Sequence, residues 1–162
     1  MAAQVSSTHV TVEHVTIGSS KTFEAVRAAL EAAVPRLDHG YAELLQAGQV
    51  GRARTLLANA APLSIFGSRD HGGLLSIADL RRKAVQYDIG NPLTASRMTR
   101  HALSAALYAP IRVLLREATD GQVAFEYDRP VSTFGQFKNA MVDPVAQGLD
   151  DALKATLMAA AA

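Results

Sequence analysis

Residues 111–128 read IRVLLREATDGQVAFEYD, and the reading of this stretch decides the fold. Ile111, Val113 and Leu115 alternate with Arg112 and Arg116, and Val123, Phe125 and Tyr127 alternate with Glu126 and Asp128. Period-two alternation on both sides of Asp120-Gly121 is a β-hairpin with one apolar face. The loop sets the register. A two-residue Asp-Gly loop puts Arg116 opposite Phe125 and mixes the faces. A three-residue loop, Thr119–Gly121 with Gly121 left-handed, sets Leu115 opposite Phe125 and Val113 opposite Tyr127. The second keeps one face apolar and is the expectation; it also places Arg112 opposite Asp128.

Upstream of the hairpin, Ala84–Ile89 reads as a strand ending at Gly90-Asn91-Pro92. Asn91 suits the N-cap and Pro92 the first position of a helix, which carries Leu93, Met98, Ala102, Ala105 and Leu107 and stops before Pro110. Leu63–Gly67 is a short apolar strand, and Arg69-Asp70-His71-Gly72-Gly73 reads as a loop. Residues 74–83 suggest a short helix. Tyr41–Ala61 reads as two short helices divided near Gly48-Gln49. Phe23, Val26, Leu30, Ala33 and Leu37 recur every three or four residues, which is one helix face, with Ser20 as N-cap and Pro35 distorting the last turn. His9–Ile17, HVTVEHVTI, is rich in β-branched residues. Its alternation shifts by one, which predicts a strand with a bulge near Glu13-His14.

Downstream, the chain loops through Ser132–Phe137. Asp143-Pro144 then opens a last helix with Val145, Leu149, Leu153 and Leu157 down one side, its final alanines expected to fray. One hairpin and no glycine-rich βαβ unit imply an α/β chain of the α+β type, with a mainly antiparallel or mixed sheet packed against helices. A single domain is expected over residues 1–162, with its globular core at 8–160.

Composition narrows the function. The chain has 162 residues, 49% of them apolar and 19% charged, a net charge of +1 and no cysteine. That suits a folded domain, not a disordered one. The balance of charge gives no global attraction to nucleic acid or to an anionic membrane. The basic clusters, Arg81-Arg82-Lys83 and Arg97 with Arg100, lack interleaved aromatics and read as solvated helix faces and ends. Without cysteine there is no disulfide, thiolate metal site or thiol nucleophile. No apolar run approaches the roughly 20 residues of a membrane span, and the first residues lack the pattern of a secretory signal, so a cytoplasmic protein is expected.

From Tyr87 onward, YDIGNPLTASRMTRHALSAALYAPIRVLLRE followed by DGQVAFEYDRPVSTFGQF resembles the C-terminal half of the domain-of-unknown-function family DUF302. SIFGSRDHGG, residues 64–73, is similar to that family's earlier strand running into Asp-His. The resemblance spans about Phe23–Leu153 and departs in Asp38–Ala61, which is longer than the usual family connection. It implies an antiparallel-centred sheet with helices, a bacterial or archaeal source and, often, a homodimer. It implies no activity.

Four groups of residues are candidates for chemistry. At the Gly90-Asn91-Pro92 turn, a strand delivers the chain into a helix N-terminus, whose free amides and positive dipole end suit an anion. Asn91 and Thr94 are candidate ligand-binding residues there, with Tyr87 just upstream; capping alone also accounts for Asn91 and Pro92. Asp70 and His71 put a carboxylate beside an imidazole and are candidate catalytic residues, although neighbouring residues on an extended chain point opposite ways. His101, three residues after Met98, is a candidate ligand-binding residue and a candidate haem ligand, with Arg97 and Arg100 near enough to pair with propionates or a phosphate. No metal site is expected otherwise, since zinc-type spacing is absent. Phe134, Phe137 and Tyr127 suit a core or dimer contact. Three functional readings follow: a small-ligand-binding domain with its site at the Gly90-Asn91-Pro92 turn, an enzyme or haem protein using His71 or His101, and an interaction module. The first needs no bound cofactor.

Overall fold

The hairpin forms in the expected register. In the computed structural model, which describes residues 2–162, strand β4 (Ile111–Glu117) pairs with β5 (Val123–Asp128), with Leu115 facing Phe125 and Val113 facing Tyr127. The Ala118 amide donates to Gln122 O at 2.8 Å, which leaves Thr119–Gly121 as the loop, and Gly121 takes φ 83°. That left-handed value is one glycine adopts without the Cβ penalty.

Three more strands complete one antiparallel sheet. β1 (His14–Ser19) lies outside β5, and β3 (Ala84–Gly90) and β2 (Ser64–Asp70) extend it beyond β4, giving the order β1-β5-β4-β3-β2. All four pairings are antiparallel. The outer edge of β2 is partly covered: Ile65 donates to Pro35 O at 2.8 Å and accepts from Leu37 N at 2.9 Å. Covering an edge in this way blocks its pairing with another chain.

Alternation divides the sheet into two faces. Tyr87, Ile89, Val113, Leu115, Phe125 and Ile65 are all 2% exposed or less and face the helices. Helix α1 (Phe23–Ala33) adds Phe23, Val26 and Leu30, and the long helix α7 (Asp143–Ala161) adds Leu149, Leu153 and Leu157. The other face carries His14, Glu126, Arg112, Arg116, Gln86 and Asp88, all at least partly exposed. There Arg116 pairs with Glu126, and Arg69 with Asp88 at 2.8 Å.

Smaller helices fill the connections. α2 (Gly40–Gln46) and α3 (Val50–Ala58) divide at Gly48-Gln49 as expected. α4 (His71–Leu74) and a 3₁₀ turn at Leu75–Ala78 join β2 to β3. α5 (Pro92–Thr99) and a 3₁₀ turn at Leu103–Tyr108 join β3 to β4. α6 (Pro130–Phe134) follows β5, where Phe134 is fully buried and Tyr108 meets it edge-on at 6.5 Å.

Several boundaries differ from the sequence reading. β1 starts at His14, and residues 9–13 are exposed and unpaired with a strand, so no bulge is needed. The cause lies across the sheet. Arg129 N still donates to Glu13 O, but Pro130 has no amide and turns the partner chain into α6. The N-cap of α1 is Thr22, which accepts from Ala25 N at 3.2 Å, and not Ser20. The expected loop at Arg69–Gly73 is the end of β2 and the start of α4. The helix after Asn91 stops at Thr99, earlier than expected. The terminal alanines do not fray: Ala160 and Ala161 are buried, and Ser19 Oγ donates to Ala161 O at 2.6 Å.

Candidate functional site

The strand β3 alternates until Gly90 and then releases the chain at Asn91, whose extended backbone makes it the cap of α5. Asn91 Oδ1 accepts from Leu93 N at 2.9 Å and from Thr94 N at 3.2 Å, while Nδ2 donates to Ala61 O at 3.2 Å. Pro92 has no amide, and Ala95 N donates to Asn91 O at 2.9 Å. Every first-turn amide of α5 is therefore absent or already bonded. This corrects the expectation of an anion at that helix end: the amides that would hold it are spent on the cap.

What remains at the turn is space. A cleft of about 270 Å³ lies in front of α5, walled by Tyr41 from α2, Phe66 from β2, Ile89 from β3, Met98 from α5, Pro110 just before β4 and Ile111 at its start, and Leu149 from α7. Its lining is mainly apolar. Thr94, Thr99 and Tyr41 are among the residues that line it, and the hydroxyls of these three make no hydrogen bond among the described residues. A second depression of about 360 Å³ lies behind the same turn, between α5 and α7, sharing Asn91, Thr94 and Leu149 and adding Arg97, Pro144 and Gly148.

The sequence-expected residues divide unevenly between these places. Asn91 and Thr94 line both spaces, and exposed Arg97 lines the second alone. Tyr87 belongs to neither, and its candidacy as a ligand contact is corrected. It is fully buried on the core face, and its hydroxyl donates to Glu31 Oε1 at 2.8 Å. Burial, then the Glu31 carboxylate, push its ionisation above the ordinary tyrosine range. Glu31 also accepts from Arg27 Nε at 3.0 Å. Burial raises the Glu31 carboxyl, but the bonds from Tyr87 and Arg27 together hold it below its usual value. His101 is exposed and lies outside both spaces, accepting only through its backbone carbonyl, from Asn139 Nδ2 at 3.4 Å. α5 lines the cleft with Thr94, Ala95 and Thr99 and with Met98, which is 1% exposed.

Asp70 and His71 also separate. Asp70 Oδ1 caps α4 through Gly73 N at 2.8 Å, whereas His71 Nε2 meets Gln86 Oε1 at 3.2 Å on the open sheet face. The carboxylate does not orient the imidazole, so the pair is not a catalytic dyad. On the same face, His14 Nδ1 lies 3.1 Å from Asp128 Oδ1, with Glu126 Oε2 3.7 Å from Nε2. The hairpin register is the expected one, and within it the Asp128 carboxylate pairs with His14 of β1.

Sequence reasoning missed Tyr41, Phe66, Pro110 and Leu149 as cleft residues. Each looks like an ordinary core or turn residue along the chain. Only the approach of α2, β2, β4 and α7 to a single turn gathers them.

The chain matches the model of the family described as "Domain of unknown function DUF302" over residues 48–160. It is similar to the crystal structure of an uncharacterised conserved DUF302 protein from Bacillus stearothermophilus, with 15% identity and a TM-score of 0.66. That match covers 91% of this chain and 97% of the other. At this identity the likeness carries the fold alone. No curated protein matches the chain.

Proposed function

The chain belongs to the DUF302 family, a fold without an assigned activity, and from that premise we propose that it is a small-ligand-binding domain whose site is the cleft at the β3–α5 turn. The observation that carries this reading is the conjunction of a mainly apolar lining with three lining residues, Tyr41, Thr94 and Thr99, whose hydroxyls are unpaired. Pockets for small molecules are built that way: apolar lining for affinity, a few polar groups for orientation. The volume of about 270 Å³ bounds the ligand. It exceeds the roughly 150 Å³ that admits benzene to an apolar cavity. It falls just short of the roughly 300 Å³ where drug-sized pockets begin. A substituted ring or a short branched chain fits. The ligand is neutral where it meets α5, because that helix end has no free amide to offer an anion, and the Thr94 and Thr99 hydroxyls orient its polar end.

Benzyl alcohol tests the reading. Wild-type protein gains thermal stability with increasing benzyl alcohol, as a ligand of the folded state must cause. In Ala95→Leu, which puts three more carbons at the cleft wall, that gain disappears while the unliganded protein stays folded. A wild type indifferent to the probe, or a variant that responds equally, would refute the assignment.

A further inference from the structure

The connection between β2 and β3 leaves four large apolar side chains in the open. Ile77 is 82% exposed, Leu74 60%, Leu80 44% and Leu75 36%. Between Leu74 and Leu80 only Asp79 is charged, and Arg81-Arg82-Lys83 follow at once. A soluble surface scatters such residues singly; a run of them beside a block of cations marks a docking element.

The element is built, not slack. Asp79 reverses the chain in the left-handed region at φ 56°, Asp79 N donates to Ser76 O and Leu80 N to Leu75 O, each at 3.1 Å. At its base Asp70 caps α4, and Gly72 lies so close to the returning chain that a Cβ there would stand 2.3 Å from Arg82 O. The cations are not equivalent. Lys83 is engaged by Glu24 at 2.9 Å and Glu117 at 3.4 Å. Arg81 and Arg82 make no ion pair among the described residues, the Arg82 guanidinium reaching only Arg81 O at 3.0 Å.

We propose that this tip docks the protein onto an anionic lipid surface, with Leu74, Ile77 and Leu80 entering the interface and Arg81 and Arg82 against lipid phosphates. Apolar side chains at the headgroup–acyl boundary, with arginines beside them, are the usual division of labour in interfacial binding. Neither a spanning helix nor a large net charge is required, so the absence, among the described residues, of any helix long and apolar enough to cross a membrane leaves the proposal intact. The sequence reading treated Arg81-Arg82-Lys83 as a solvated run and expected no membrane contact; the exposed leucines and isoleucine beside it are what change that. A second copy of the chain is the poorer occupant. A two-fold contact through this tip sets the two cation runs side by side, and the tip offers only Asp79 to balance them.

Flotation with lipid vesicles decides the matter. The protein co-floats with phosphatidylcholine vesicles containing phosphatidylglycerol and not with phosphatidylcholine alone, and added salt releases it. Ile77→Glu lowers the vesicle partition at least roughly tenfold. Arg81→Ala and Arg82→Ala each lower it roughly fivefold. Ile77, Arg81 and Arg82 are exposed, so unchanged thermal melts accompany these losses. Failure of the wild type to float, or flotation that Ile77→Glu leaves intact, overturns the proposal. So does a vesicle-free dimer that Ile77→Glu dissociates, which would assign the tip to a second copy.

Discussion

Two strand-to-helix turns in this molecule share one local design and differ in what stands around them. β2 ends at Asp70, whose Oδ1 accepts from Gly73 N at 2.8 Å; β3 ends one residue before Asn91, whose Oδ1 accepts from Leu93 N and Thr94 N. Each turn is followed, within the next residues, by a side chain that invites a chemical role. At Gly72 the returning chain leaves no room: a Cβ would lie 2.3 Å from Arg82 O and 2.8 Å from Ala84 N. At Gly90 the nearest neighbours of a Cβ are side chains, Pro110 at 3.5 Å and Phe66 at 3.6 Å, and both line the open cleft. An Asx cap therefore reports how the chain changes direction and says nothing about a ligand. A cleft with a mainly apolar lining, and not the cap, separates the site from the turn that merely resembles one.

Substitutions can break or sharpen that contrast. The largest effect is expected at the closed turn: Gly72→Ala forces a Cβ against backbone and costs about 3 kcal/mol in a denaturant melt. A loss below about 1 kcal/mol would mean that the turn can open, and the contrast would fail. Next comes the cap of the open turn. Asn91→Ala removes bonds to two amides and to Ala61 O and costs about 1–2 kcal/mol, against about 0.5–1 kcal/mol for Asp70→Ala, which removes one. If Asn91→Ala weakened benzyl alcohol binding by far more than it weakened folding, Asn91 would be a ligand contact and not only a cap.

Tyr87 sharpens the boundary of the site from behind. Tyr87→Phe costs about 1 kcal/mol at neutral pH through its bond to Glu31 and leaves benzyl alcohol binding unchanged. Its sign with pH is fixed. A phenol whose folded pKa is raised contributes stability that is full below its unfolded value, about 10, and is lost as pH rises through the folded one. Wild-type stability therefore declines above about pH 10, and Tyr87→Phe removes part of that decline. Tyr127, raised by burial and by the Asp150 charge, and Lys83, raised by its bond to Glu24, keep their own shares of it. A decline identical in the variant would show that the Tyr87 hydroxyl is not what titrates. The smallest effects belong to the histidines. His71→Ala and His101→Ala shift stability by no more than about 0.5 kcal/mol and leave the cleft's affinity alone; a marked loss of probe binding in either would return that histidine to the site.

Local signals carried much of the fold. The hairpin register was legible because a wrong loop length would have placed Arg116 on the apolar face, and the Asn91-Pro92 cap because both residues suit adjacent positions of one helix start. What failed depended on partners distant in sequence. Val10 and Val12 alternate like a strand, yet the partner strand β5 departs at Pro130 and leaves them nothing to pair with. The terminal alanines read as a fraying end until β1 supplies Ser19 to bind Ala161 O. The same holds for the site. The turn could be located from Gly90-Asn91-Pro92, but not its chemistry, because the Asn91 side chain can be seen to be spent only once Ala61, Leu93 and Thr94 surround it. The cleft walls come from α2, β2, β4 and α7, and no spacing along the chain announces such a convergence.

The measurement closest to the central claim is an amide-shift titration by two-dimensional NMR with benzyl alcohol and with benzoate, two ligands of the same ring size and different charge. The expected result is shifts centred on Ile89, Ala95 and Ile111 at the cleft, tighter binding of the neutral ligand, and no response at Gly72 and Gly73. Tighter binding of benzoate centred on the Leu93 and Thr94 amides would contradict it, since those donors would then serve an anion and not the cap.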